Sequence, residues 1–128
     1  MASQLKVDTI TGVTTAGSIS VTGEGNSTTT NLQQSLVKVW AKFNGSSFGE
    51  LDSFNVSSFT DSGTGNYTVN INNDFSNANH ASIEGSGAYH AVNDAANAVG
   101  TLNIACYNSS HSNADESRVA VHSCGDLA

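Results

Sequence analysis

Alternation of apolar and polar positions is the main signal in this chain. In "LVKVWAKFN", Val37, Val39, Ala41 and Phe43 fall on one side of an extended segment, with Lys38 and Lys42 on the other. Leu36, Trp40 and Ala41 also fit a helical stripe, but the valine content predicts a strand. "DSFNVSSF" follows, then the turn "TDSGTG", then "NYTVNIN". Phe54 and Val56 share one face of this predicted hairpin, as do Tyr67, Val69 and Ile71 on its return. Gly63 and Gly65 can supply the positive φ of a longer hairpin loop. Further strands are predicted at "HASIEGSGAYHAV", "GTLNIACYN" and "SRVAVHSC", while "VNDAANAV" reads as a turn of helix or a loop. About six to seven strands at regular spacing predict an antiparallel sandwich or barrel.

The leading part is written differently. "LKVDTITGVTTAGSISVTGEG" predicts two or three short strands broken by Gly12, Gly17, Gly23 and Gly25, with Leu5 and Val7 alternating, then Ile19 and Val21. These side chains are too few to close a core within one chain. All nine aromatics lie at or beyond Trp40. The shift places a boundary within "GNSTTTNLQQ", between a β-rich N-terminal segment, residues 1–34, and an antiparallel β domain, residues 35–128. Packing onto the second part, packing onto other copies and a disordered arm all remain open for the first segment. Self-association around a symmetry axis is the favoured expectation, because uncharged strand edges otherwise pair without control. The absence of proline fits edges that an assembly covers.

Composition sharpens the β reading. Apolar residues make up 38% and charged residues only 12%, with Ser, Thr, Asn and Gly in their place, residues poor in helix propensity. Low charge and nine aromatics argue against disorder. Four Lys plus Arg in a chain of net charge −7 leave no basic footprint for nucleic acid or an anionic membrane surface. No apolar run approaches the roughly 20 residues of a membrane-spanning helix. The start "MASQLKVDTI" lacks a basic region followed by an apolar one, so cytoplasmic synthesis is expected. That compartment favours two free buried thiols at Cys106 and Cys124 over a disulfide between them.

Candidate chemistry is sparse. His122 and Cys124 alternate on one strand face, with His111 or Cys106 as further ligands, yet no tight C-x2-C or H-x3-H pair is present. Structural or surface roles are expected for these and for His80 and His90, with no metal and no other cofactor. G-x-S-x-G is absent, and "GSGAYH" lacks the strand-to-helix context of a nucleophile elbow. Glu50 with Asp52, and Asp115 with Glu116, read as chance neighbours in an acidic chain before a glycosidase pair. Asp61 and Asn66 flank the hairpin loop without the dense acidic pattern of a calcium site. Sequons at Asn26, Asn44, Asn55, Asn66 and Asn108 follow from the abundance of Asn, Ser and Thr. No enzyme is expected. Trp40, Tyr67, Tyr89 and Tyr107 are the candidate aromatics for stacking on sugars, most of them expected in the core or half-buried.

Taken as a run, "VKVWAKFNG", "DSFNVSSFTDSGTGNYTVNIN" and "FSNANHA" resemble a repeated module of tailed bacteriophages, especially those of marine and cyanobacterial hosts. "QLKVDTITG" is similar to the N-terminal starts of phage fibre and virion structural proteins. The resemblance covers roughly residues 3–23 and 36–81. It implies a non-enzymatic virion component: a short tail fibre, a spike or a capsid-surface fibre, made in the host cytoplasm. Such proteins are usually homotrimers. The resemblance further implies that residues 1–34 trimerise and attach to other virion proteins, while the β domain contacts a host-surface glycan or receptor. Nucleic acid and membrane insertion play no part. The motif maps onto Trp40, Phe43, Asn44, Gly45, Asp52, Phe54, Asn55, Val56, Gly63, Gly65, Tyr67, Val69 and Asn70, as fold-defining positions. Many related fibres are longer and carry an extended shaft. The alternative reading is a stand-alone carbohydrate-binding β-sandwich module. A fibre-borne depolymerase would need a catalytic set that the sequence does not display.

Overall fold

The structure is a computed structural model and describes residues 4–12, 19–87, 90–93 and 97–126. The chain divides into two units, Met1–Ser35 and Leu36–Ala128.

In the first unit, β1 (Ser20–Thr22) pairs antiparallel with β2 (Thr29–Asn31), Val21 opposite Thr30. Asn26, at φ 54°, turns the chain between them, a conformation that asparagine tolerates better than most residues. A single helical turn, α1 (Leu32–Ser35), follows, and the Asn31 side chain caps it by accepting from the Gln34 amide at 3.0 Å. The alternation of Leu5 and Val7 does not produce a strand: residues 4–12 carry no ladder. A strand is defined by its pairing, and two alternating side chains do not supply one. Gly17 lies outside the described residues.

The second unit is all antiparallel β. Its strands are β3 (Val37–Asn44), β4 (Gly49–Phe54), β5 (Val56–Gly63), β6 (Asn66–Ile71), β7 (Ala81–Ser86), β8 (His90–Asn93), β9 (Thr101–Tyr107) and β10 (Val119–Cys124). They form two four-stranded sheets, ordered β4-β3-β10-β7 and β5-β6-β9-β8. Among the described residues the all-β, antiparallel expectation holds, with eight strands in this unit in place of six or seven. The difference arises because two segments read as single strands are each divided between the sheets. "HASIEGSGAYHAV" becomes β7 and β8, and "DSFNVSSF" becomes β4 and β5. Asp94–Ala96 in "VNDAANAV" lie outside the described residues, and Ala98 bridges to Thr101.

Asn55 makes the second division. It stands at φ 60° between β4 and β5. Its amide donates to Lys38 O and Asn73 O, both at 3.1 Å, and its Oδ1 accepts from Asn73 N at 2.8 Å. The predicted hairpin of residues 52–72 is therefore two pieces. Phe54 and Val56 do not share a face: Phe54 is exposed on the first sheet, and Val56 packs against the core from the second. The turn itself is tighter than "TDSGTG", because β5 runs on to Gly63. Gly63 and Gly65 do hold positive φ, at 117° and 70°.

One core joins the inward faces. Val39, Ala41 and Phe43 of β3 and Val119 and Val121 of β10 meet Tyr67, Val69 and Ile71 of β6 and Leu102, Ile104 and Cys106 of β9. Val37, expected on that inward face, is exposed; a register shift between Ser123 and Cys124 disturbs that end of the β3–β10 ladder. Both cysteines are free, Cys106 buried and Cys124 half-buried.

Candidate functional site

The two sheets differ on their outward faces. On the second, small neutral side chains bond to one another: Thr68 Oγ1 donates to Asn103 Oδ1 at 2.7 Å, and the Asn70 amide reaches Ser58 Oγ at 3.0 Å and Thr60 Oγ1 at 3.2 Å. Such a surface satisfies itself.

The first sheet carries apolar and cationic groups instead. The register places Phe54 of β4 opposite Trp40 of β3, Trp40 opposite His122 of β10, and His122 opposite Ile83 of β7. Directly paired residues share a face, so this row runs across all four strands. Trp40 is 36% exposed, Phe54 55% and Ile83 64%. Trp40 points outward because Val39 and Ala41 on either side of it are committed to the core. It is thus a surface aromatic, against the expectation for most of the candidate rings. Tyr67 is core, Tyr107 is half-buried and Tyr89 lies outside the described residues.

The same alternation sends Lys42 outward, about 7 Å along the strand from Trp40, whereas Lys38 is buried where the β3–β10 register shifts. The row next to the aromatic one reads Asp52, Lys42, Ala120 and Gly85 across the sheet. Its two small members leave a shallow cleft of about 300 Å³, bounded by Lys42, Ala120, Gly85, Gly87 and Arg118. Gly87 brings two charges close: a Cβ there would lie 3.3 Å from Arg118 Nε and 3.5 Å from Glu116 Oε2. A second recess of about 240 Å³ lies beyond the row, where Lys38 and Phe54 meet Asn55 and Asn73.

The remaining motif positions have local structural partners. Asn44 Oδ1 accepts from the amides of Ser46 and Ser47 in the β3–β4 turn. Gly45 lies so close to the Tyr67 hydroxyl and Glu116 O that a Cβ would collide with both. Phe43 sits edge-on to Tyr67, with ring centroids 5.2 Å apart. Val69 is fully buried, and Asp52 faces Lys42.

Two polar clusters had no clear sequence signal. Asp115 accepts from the Tyr67 hydroxyl at 3.0 Å and from the Gly65 amide at 2.6 Å, tying the segment before β10 to the β5–β6 turn. Burial, reinforced by Asp115, raises the Tyr67 phenol well above its usual range. Burial likewise pushes the Cys106 thiol up to about 11, with Glu116 and Asp115 adding to it. His80 stacks on Phe75 at 4.3 Å, with Nδ1 3.1 Å from Ser123 Oγ and Nε2 3.2 Å from Ala98 O. Sequence separations near 20 to 50 residues hid both clusters.

The candidate metal ligands do not converge among the described residues. His122 and Cys124 face outward on β10, while Cys106 is in the core and His111 sits in the turn after β9. No three His, Cys, Asp or Glu side chains group to hold a metal among the described residues. Asp61 Oδ1 accepts from Gly63 N, and the Asn66 amide donates to Thr64 O.

No protein-family model, curated protein or solved structure matches this chain.

Proposed function

We propose that the chain is a non-enzymatic structural protein of a tailed-phage virion: a short fibre or spike that assembles as a homotrimer through residues 1–34 and presents the β domain outward to a surface glycan. One observation carries the assembly. Leu5, at 82% exposure, with Val7, Ile10 and Val21, opens to solvent along a segment with few charges. Apolar side chains in this number are stabilised by burial, worth about 25 cal/mol per Å² covered, and copies of the same segment can supply that cover. The finer picture of the fold, a two-sheet sandwich carried on a trimerising segment, belongs to the same proposal. The motif resemblance in "VKVWAKFNG" and "DSFNVSSF" supports the virion assignment.

Sedimentation equilibrium of the full chain at micromolar concentration tests the assembly. A species of about three times 13.2 kDa is expected, and Ile10→Glu with Val21→Glu should dissociate it. A monomer across that range overturns the trimer. Antibody labelling of intact virions, viewed by electron microscopy, tests the location.

A further inference from the structure

We propose that the outward face of the β4-β3-β10-β7 sheet binds an anionic polysaccharide, with a sugar ring stacked on Trp40 and Phe54 and its acidic groups held by Lys42 and Arg118 over the Ala120–Gly85 cleft. This deepens the surface-contact part of the function proposed above by naming the site and the ligand's charge.

The distribution of charge carries the inference. The chain has four Lys plus Arg and eleven Asp plus Glu. Two of the four cations, Lys42 and Arg118, stand exposed on this one face, and Lys38 is buried in the recess beside Phe54. The carboxylates beside them are Asp52, opposite Lys42, and the buried Glu116, beside Arg118 and Gly87. The remaining cation, Lys6, shares the rest of the chain with the other carboxylates. In an acidic protein this face is therefore where an anion is least repelled.

Shape selects the kind of anion. The face is broad and open, with two neighbouring aromatic side chains and a shallow trough of small residues beside them. The C–H groups on one side of a pyranose ring carry partial positive charge and meet the negative face of an aromatic ring. Uronate or sulfated sugars repeat their charge along the chain, so a ring on Trp40 brings acidic groups toward Lys42, about 7 Å along β3. Lys38 is only 8% exposed and contributes mainly through its field. An extended peptide is instead recognised along a strand edge, through backbone hydrogen bonds. Nucleic acid demands a far larger cationic footprint than two exposed side chains in a chain of charge −7.

Trp40 is the only tryptophan in the chain, so its fluorescence reads this face directly. The full chain is titrated with polygalacturonate oligomers, dextran sulfate, neutral dextran and poly-L-glutamate. A saturable change in Trp40 emission is expected with polygalacturonate or dextran sulfate, and the tighter of the two assigns carboxylate or sulfate as the preferred group. Affinity should fall as NaCl rises, and at least tenfold in Lys42→Ala and in Arg118→Ala, with Lys6→Ala unchanged. No response to either anionic glycan overturns the proposal. So does an equal response to neutral dextran, equal or tighter binding of poly-L-glutamate, or Lys42→Ala and Arg118→Ala that bind as the parent does. An emission change that follows protein concentration without glycan overturns it too, and identifies the face as a contact between copies. The trimer is read by sedimentation alone, so the assembly and the glycan site fail separately.

Discussion

Asn55 Oδ1 accepts from both the backbone amide and the side-chain amide of Asn73, at 2.8 and 3.0 Å. These two bonds, with the two that the Asn55 amide donates, fix the point where the chain leaves one sheet for the other. Asn55→Ala removes these bonds and places an alanine at φ 60°, so a loss of about 2–3 kcal/mol is expected. Asn55→Gly keeps the backbone free and loses only the bonds, and should cost roughly 1–2 kcal/mol. Urea denaturation of both variants separates the two contributions. Equal losses would mean that backbone conformation plays no part.

Tyr67 and Asp115 give a second test. Tyr67→Phe keeps the core ring but leaves the carboxylate with one fewer donor, and a cost of about 1–2 kcal/mol is expected by denaturant titration. Asp115→Ala also strands the buried Gly65 amide and should cost more. A Tyr67→Phe protein as stable as the parent would show that the bond to Asp115 is energetically neutral.

The buried thiol gives a pH dependence. Cys106 is neutral when protonated, and its value in the folded chain is raised from 9.0 to about 11. The unfolded chain therefore releases this proton first. Its contribution to stability is whole below about pH 9 and is lost as pH rises toward 11. The raised Tyr67 phenol steepens the same decline at the alkaline end. Cys106→Ala should flatten the part between pH 9 and 11 in a series of melting temperatures. Alkylation by iodoacetamide at pH 8 should reach the half-buried Cys124 well before Cys106.

Two glycines of one turn should respond differently. A Cβ at Gly65 would lie 2.6 Å from both Ala114 N and Cys106 O, at φ 70°. The atoms it meets are backbone and cannot swing aside. Gly65→Ala should cost about 3 kcal/mol or more, through strain and collision together. At Gly63 nothing lies within 4 Å, so Gly63→Ala should show only the backbone term, roughly 1–2 kcal/mol. Thermal unfolding of the pair checks the order.

The strands and their inward faces were legible because alternation is a local property. Val39, Ala41 and Phe43, and likewise Tyr67, Val69 and Ile71, declare a buried side by spacing alone. Gly63 and Gly65 declared a turn because few other residues accept positive φ. Alternation does not record which strands pair, nor where one run of it passes from sheet to sheet. "DSFNVSSF" keeps an unbroken pattern across Asn55, and only bonds to Lys38 and Asn73, distant in sequence, divide it. The candidate face shows the same limit. Sequence placed Lys38 and Lys42 opposite the core side of β3, but Phe54, His122 and Ile83 join Trp40 only through three inter-strand registers. Local periodicity thus determined what is buried, and long-range pairing decided what stands together on the surface. The β3–β10 and β10–β7 registers join strands far apart along the chain, where no single turn sets the pairing.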